Sequence, residues 1–232
     1  MLRVGAVVLV LSILFAPMLF ADEVPDPNEV NAFDRMFMYP YNESLSLVSD
    51  VTQYSAFLSP SLIALAAPPS DWFGIGLVYG VSGGLSFGTR TIMKMCLERD
   101  RPYMYDTGSL PPATSTLYQE LIADQNDSFP SGHTIMAFTG AAFTHAVYSL
   151  RYPESKYRRG ATFIGYAFAT ATALLRVGSG NHFVTDVLAG AAIGSLFGYM
   201  VPYLAWKVFP SWKDDKVTVA VGPTMVALHV QL

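Results

Sequence analysis

Apolar residues gather in five runs, at about 54–68, 72–93, 132–150, 161–176 and 184–205, parted by connectors that collect charge, proline and glycine. Each run approaches the roughly 20 residues that a helix needs to cross a bilayer, although the first and fourth are short. The pattern predicts an all-α membrane helical bundle. Pro60 would kink the first run, which neighbouring helices can accommodate. Before the runs, the polar stretch 22–52 carries Pro25, Pro27 and Pro40 and reads as an extracytoplasmic lead-in with one amphipathic helix. After them, residues 216–232 alternate apolar and polar positions on both sides of Gly222-Pro223, which suggests a short β-hairpin.

The first 21 residues, MLRVGAVVLVLSILFAPMLFA, have a basic start at Arg3 and an apolar core from Val4 to Phe15. They read as a signal peptide or an N-terminal anchor, and either leaves the following chain outside the cytoplasm. The expected organisation is therefore a leader at 1–21, the lead-in at 22–52, a catalytic bundle at 53–206 and a tail at 207–232.

Composition supports the membrane class. Hydrophobic residues make up 52% of the chain and charged residues 14%, against roughly 25% charged in a soluble domain. Mean hydropathy is +0.35. A net charge of -4 with no basic stripe excludes a nucleic-acid partner. The single cysteine, Cys96, excludes an internal disulfide framework and reads as apolar filler on a helix.

Charge also predicts orientation. The connector 151–160 carries Arg151, Lys156, Arg158 and Arg159 against Glu154, which places it in the cytoplasm. With alternating crossings, the connector 94–131 and the turn 178–181 then face the exterior, in agreement with the leader.

Three motifs carry chemistry. Lys94 is followed, after six residues, by Arg101-Pro102, a spacing that puts two cations on one helix face as a clamp for phosphate oxygens. Pro130-Ser131-Gly132-His133 stands before an apolar run, with Ser131 as N-cap and Gly132 giving an anion access to backbone N–H groups. His133 is then a candidate general acid. Arg176, His182 and Asp186 form the third motif. Four positions apart on one helix, Asp186 would hydrogen-bond one ring nitrogen of His182 and leave the other free to attack. Alternating helices bring all three motifs to one end of the bundle. Glu98, Arg99 and Asp100 read as solvent-facing, His145 as a hydrogen-bonded structural residue, His229 as part of the tail, and Met36 and Met38 as packing.

These residues resemble the tripartite pattern of the type 2 phosphatidic acid phosphatase superfamily, K-x6-R-P, P-S-G-H and S-R-x5-H-x3-D, in its bacterial membrane-associated form. The likeness covers about 54–205, with one departure, Leu175 in place of the usual serine that adds a phosphate contact. It implies that His182 attacks phosphorus to form a phosphohistidine, that Asp186 orients it, and that His133 protonates the leaving group and then helps activate water. It further implies that Lys94, Arg101, Arg176 and the backbone at Ser131-Gly132 stabilise the equatorial oxygens, with no metal and no cofactor.

The expected activity is hydrolysis of a phosphomonoester or diphosphate borne by a membrane lipid, in a multi-pass protein whose site faces the periplasm or exterior. Phosphatidate, phosphatidylglycerol phosphate, undecaprenyl diphosphate and lipid A phosphates all qualify as substrates. The alternatives are a secreted soluble class A-type acid phosphatase and a vanadate-dependent haloperoxidase, which is similar in its anion site.

Overall fold

The computed structural model describes residues 24–208, 217–222 and 225–230. The leader at 1–21 lies outside the described residues. Among them the architecture is helical: short α1 (Ala32–Arg35), then α2 (Glu43–Phe57), α3 (Pro69–Cys96), short α4 (Thr116–Ala123), α5 (Gly132–Leu150), α6 (Arg158–Gly178) and α7 (Val184–Tyr203). The tail pairs β1 (Val217–Gly222) antiparallel with β2 (Met225–Val230), with Gly222 opposite Met225. His229 lies in β2.

The first apolar run is not one helix. α2 ends at Phe57, and Ser59–Leu65 forms a tighter 3-10 turn with Pro60 at its start. Proline has no N–H for the ladder and its ring clashes with the preceding turn, so the chain breaks there instead of kinking. α2 itself starts at Glu43, capped by the Asn42 side chain on the Leu45 N–H. It runs through the compositional boundary at 52/53, and the polar lead-in therefore shares a helix with the bundle.

α5 is the centre, packed against α2, α3, α6 and α7. Glycines let the two most intimate helices touch. A Cβ at Gly190, Gly194 or Gly198 of α7 would stand 2.8, 2.2 or 2.5 Å from the carbonyl oxygens of Ser131, Ile135 or Thr139 on α5. Such stripes of small residues are how helices approach closely where the surrounding solvent is as apolar as the side chains. Buried hydroxyl pairs join the other seams: Ser86 with Thr139 at 2.8 Å, Ser59 with Thr144 at 3.0 Å and Thr172 with Thr52 at 2.9 Å.

Large apolar side chains face outward on every long peripheral helix, among them Leu77 and Leu85 of α3, Phe163 and Leu174 of α6, and Leu188 and Leu196 of α7. Two helical stretches, Arg158–Gly178 and Val184–Lys207, are long and apolar enough to cross a membrane by length and composition.

The bundle has two unlike ends. At one, Asp71 at the start of α3 receives hydrogen bonds from Arg151 and Tyr152 just beyond α5, at 2.7 and 2.5 Å. The other end carries the long connector, which is folded and not a loose loop. Tyr103, Met104 and Leu121 form its small core, with Tyr41 and Tyr105 against them. The Tyr103 hydroxyl donates to the Leu121 carbonyl at 2.7 Å and its N–H to Gly180 O at 3.2 Å. Gly180, at φ 70, has no room for a Cβ, which would fall 2.5 Å from the Tyr39 carbonyl oxygen. The lead-in, the connector and the α6–α7 turn thus make one lid-like layer over the bundle end.

Candidate active site

The three motifs converge beneath that layer, by routes that differ from simple helical spacing. α3 stops at Cys96, which is exposed, and Arg101 sits in extended backbone. Residues 99–101 instead run beside 125–128: the Arg99 and Arg101 N–H groups donate to Asn126 O and Gln125 O, each at 2.9 Å, and the Ser128 N–H donates to Arg99 O at 3.0 Å. This pairing, and not a shared helix face, carries Arg101 back to Lys94. Both cations are buried and meet the Asp124–Asp127 turn. Lys94 Nζ lies 3.6 Å from Asp127 and 4.0 Å from Asp124, and Arg101 also pairs with Asp124.

Ser131 occupies the N-cap position of α5, but its hydroxyl makes no capping bond. It accepts from the Thr134 hydroxyl at 3.0 Å, while the Ser131 N–H donates to Asp186 O at 3.2 Å. No side chain caps the first N–H groups of α5, where the sequence reading expected the Ser131 hydroxyl. A Cβ at Gly132 would fall 2.3 Å from Arg90 Nε, so a larger residue there would displace the Arg90 side chain.

His182 and Asp186 do not share a helix. α7 begins at Val184, and Asp186 is the third helical residue, its Oδ2 accepting the Phe183 N–H at 2.8 Å. A carboxylate spent on capping its own helix start is drawn away from the ring. Nδ1 of His182 lies 3.6 Å from Asp186 Oδ2 but 2.8 Å from the Ser128 carbonyl oxygen. A carbonyl only accepts, so Nδ1 carries the proton and Nε2 holds the lone pair. The group that sets the tautomer is the Ser128 backbone. Asp186 adds its charge one step further out, bonded to the Ser128 hydroxyl at 2.6 Å.

Arg99 corrects the solvent-facing reading. It bridges Asp186 at 2.5 Å and Asp34 at 2.7 Å and lies 4.2 Å over the Phe183 ring. Asp34, wholly buried in α1, also takes the Thr185 N–H at 3.0 Å. Burial alone would raise the Asp34 carboxyl, but hydrogen bonds from Thr185, Arg99 and Asn31 outweigh it and hold the group below its ordinary range. His145, expected to be hydrogen-bonded, packs edge-on between Tyr166 and Tyr199, at 6.0 and 5.7 Å.

α2 supplies residues that no motif announced. Asp50 Oδ1 is 2.9 Å from His133 Nε2 and 3.7 Å from Arg176. Ser46 and Ser49 accept from the Arg176 guanidinium, each at 3.2 Å. A signal was available: Ser46, Ser49 and Asp50 share one helical face, against the apolar face of Leu47, Val48 and Val51.

The electrostatics favour an anion. Arg176 is only 4% exposed, and its Nε makes no hydrogen bond among the described residues. A phosphate oxygen would satisfy it. Burial takes His182 well below its ordinary value, and the charges of Arg101, Arg176, His133 and Lys94 push the same way. Both effects favour the neutral ring. Burial also pushes Lys94 down to about 8, with Arg101 and Arg90 adding to the shift and Asp124 and Asp127 opposing it.

A pH effect follows. Lys94 is charged below about 8 and attracts an anion there; as pH rises through that value the charge, and its share of the binding, is lost. Competitive inhibition by orthophosphate is expected to weaken above about pH 8, and Lys94→Arg should hold it level, because guanidinium stays charged. An inhibition constant that is flat in the parent protein would contradict the Lys94 assignment.

Residues 74–210 match the sequence model of the PAP2 superfamily. The chain belongs to that family. Among curated PAP2-like relatives, lipid A 1-phosphatase of Porphyromonas gingivalis is 32% identical over 108 residues, 46% of this chain and 23% of that protein. Phosphatidylglycerophosphatase B of Bacillus subtilis is 28% identical over 158 residues, 63% of this chain and 67% of that protein. Similar solved structures include Aquifex aeolicus LpxE, with TM-score 0.44 and 20% identity over 72% of this chain and 91% of that one. The first transmembrane PAP2 type phosphatidylglycerolphosphate phosphatase from Bacillus subtilis gives 0.37 and 21%, over 72% and 94%. The PAP2 match contains every residue of the three motifs, whereas Asp34, Ser46, Ser49 and Asp50 lie before it.

Proposed function

We propose that this protein is a metal-independent lipid phosphatase working through a phosphohistidine at His182. The observation that carries the reading is the buried His182 ring, its Nδ1 bonded to Ser128 O, which leaves the lone pair on Nε2, with the charges of Arg101, Arg176 and Lys94 acting on the ring. Nε2 attacks phosphorus as the bond from phosphorus to the leaving oxygen breaks, and His133 donates the proton that oxygen takes up. Water then attacks phosphorus as the Nε2–P bond breaks, His133 accepts the water's proton, and phosphate departs with the lone pair of His182 restored. The three cations and the α5 N–H groups stabilise the equatorial oxygens throughout, which is the largest contribution in such transfers.

A lipid-borne phosphate is supported by the apolar perimeter and by the substrates named for the two curated relatives. In this reading the runs 72–93, 132–150, 161–176 and 184–205 cross the bilayer, and the site opens opposite the basic 151–160 connector, on the periplasmic or exterior side. The test is phosphate release by detergent-purified protein from phosphatidate, phosphatidylglycerol phosphate, undecaprenyl diphosphate and lipid A, with membrane fractionation alongside. Activity on at least one lipid phosphate, in a fraction that needs detergent, is the expected result. Release by salt alone, or halide oxidation with vanadate and no phosphatase activity, would overturn it.

A further inference from the structure

We infer that Asp50 is a positioning residue for the general acid, forming with His133 a second carboxylate–histidine pair in the site. The inference rests on His133 as the proton donor proposed above. Asp50 belongs to α2, outside the 74–210 match and outside all three motifs. Its Oδ1 stands 2.9 Å from His133 Nε2, within ordinary hydrogen-bond reach.

The two histidines of the site are held for opposite tasks. His182 gives its Nδ1–H to a neutral carbonyl, in a pocket surrounded by cations, and keeps a lone pair on Nε2. His133 gives Nε2–H to a carboxylate, which leaves Nδ1 as the ring nitrogen available to donate. After donating from Nδ1, the ring remains tied to Asp50 through Nε2–H, and it stands ready to take a proton from the hydrolytic water at the same nitrogen. Contrasting environments of this kind separate the acid from the nucleophile.

The cations nearest this pair are Arg176 of α6, whose guanidinium lies 3.7 Å from Asp50 Oδ1, and Arg101 of the connector. Asp50 is the carboxylate that offsets them. The hydrogen bond to His133 is the main reason its own carboxyl is held below the ordinary range, with Arg176 assisting against the cost of burial. α2 is anchored for this purpose: Asn42 caps its start, Ser46 and Ser49 hold Arg176, and Thr52 meets Thr172.

The experiment compares two esters in detergent-purified full-length protein. The diacylglycerol of phosphatidate would leave as an alkoxide and needs a proton; the p-nitrophenolate of p-nitrophenyl phosphate is a stable anion and does not. Asp50→Asn is expected to cut turnover of phosphatidate about 10- to 100-fold, a fraction of the general-acid contribution of about 10²–10⁴. Its loss on p-nitrophenyl phosphate should be at least tenfold smaller by the same argument. The basic limb of the phosphatidate pH profile should move down in Asp50→Asn and return in Asp50→Glu. In a His133→Ala background, Asp50→Asn should cost nothing more. Thermal unfolding checks each variant, and Asp50→Ser must give the same contrast if Asp50→Asn does not fold.

Equal losses on the two esters, an unmoved limb, or additive losses with His133→Ala would overturn the pairing alone. A His133→Ala enzyme that turns over phosphatidate normally would overturn the acid assignment and the pairing with it.

Discussion

Replacing His182 with alanine is expected to abolish phosphate release, with a loss on the order of 10⁴-fold or more, because removing a nucleophile leaves only binding and charge stabilisation. The reason lies in one atom. Nδ1 is committed to the Ser128 carbonyl at 2.8 Å, and Nε2 is the one ring nitrogen that can meet phosphorus. His182 is also 1% exposed, so water does not solvate that lone pair away. The covalent prediction is sharper than the kinetic one. Quenching the parent protein during turnover of ³²P-labelled phosphatidate should trap a protein-bound phosphoryl group that survives alkali and is lost in acid, as an N–P bond is. The same quench of His182→Ala should trap none. His182→Asn, which can still donate to the Ser128 carbonyl, should fold and remain inactive. Label retained in either variant, or turnover near the parent rate, would refute the nucleophile.

The residues proposed for that reaction stand out in the sequence because short-range constraints put them at fixed spacings. Pro130 to His133 form a helix start, where four consecutive positions decide both the N–H groups and the acid. Arg176 and His182 flank a turn whose length is set by Gly180 and its left-handed backbone. The family to which the chain belongs could be reached from these alone. The all-helical fold was legible for the same kind of reason, from the length and apolarity of the runs.

What escaped has a common cause: it depends on contacts between distant segments. Asp50 and His133 are joined only by the packing of α2 on α5, and polar residues in the lead-in looked like solvated surface. Arg99 seemed a solvent-facing charge because its partners, Asp34 and Asp186, come from segments on either side of it in the sequence. The capping of α7 by Asp186 could be expected from its position, three residues after Phe183, but His182 was placed on the same helix, which begins only at Val184. Pro60 was correctly seen as disruptive; that it would end the helix, letting α2 extend back to Glu43, depended on Asn42 providing a cap. In each case the sequence supplied the residue and tertiary structure supplied its role.

Arg176→Gln is expected to lower kcat/KM about 10³-fold, the upper range for losing a single preorganised donor to a developing oxyanion, since a charge goes with it. The guanidinium is buried, bound to Ser46 and Ser49, and 3.7 Å from one half-exposed carboxylate, Asp50. With Nε unpaired, much of the cost of burying that charge is uncompensated by the protein. A bound phosphate would compensate it. Orthophosphate should therefore raise the unfolding temperature of the parent protein, by mass action worth about 2.7 kcal/mol at 100 times its dissociation constant. Arg176→Gln should lose that increment while keeping, or slightly raising, the unfolding temperature measured without phosphate. Stability and ligand response are expected to move in opposite directions, which an ordinary destabilising substitution would not produce. A variant that unfolds earlier without phosphate and still gains the full increment with it would show that Arg176 supports the fold and not the anion.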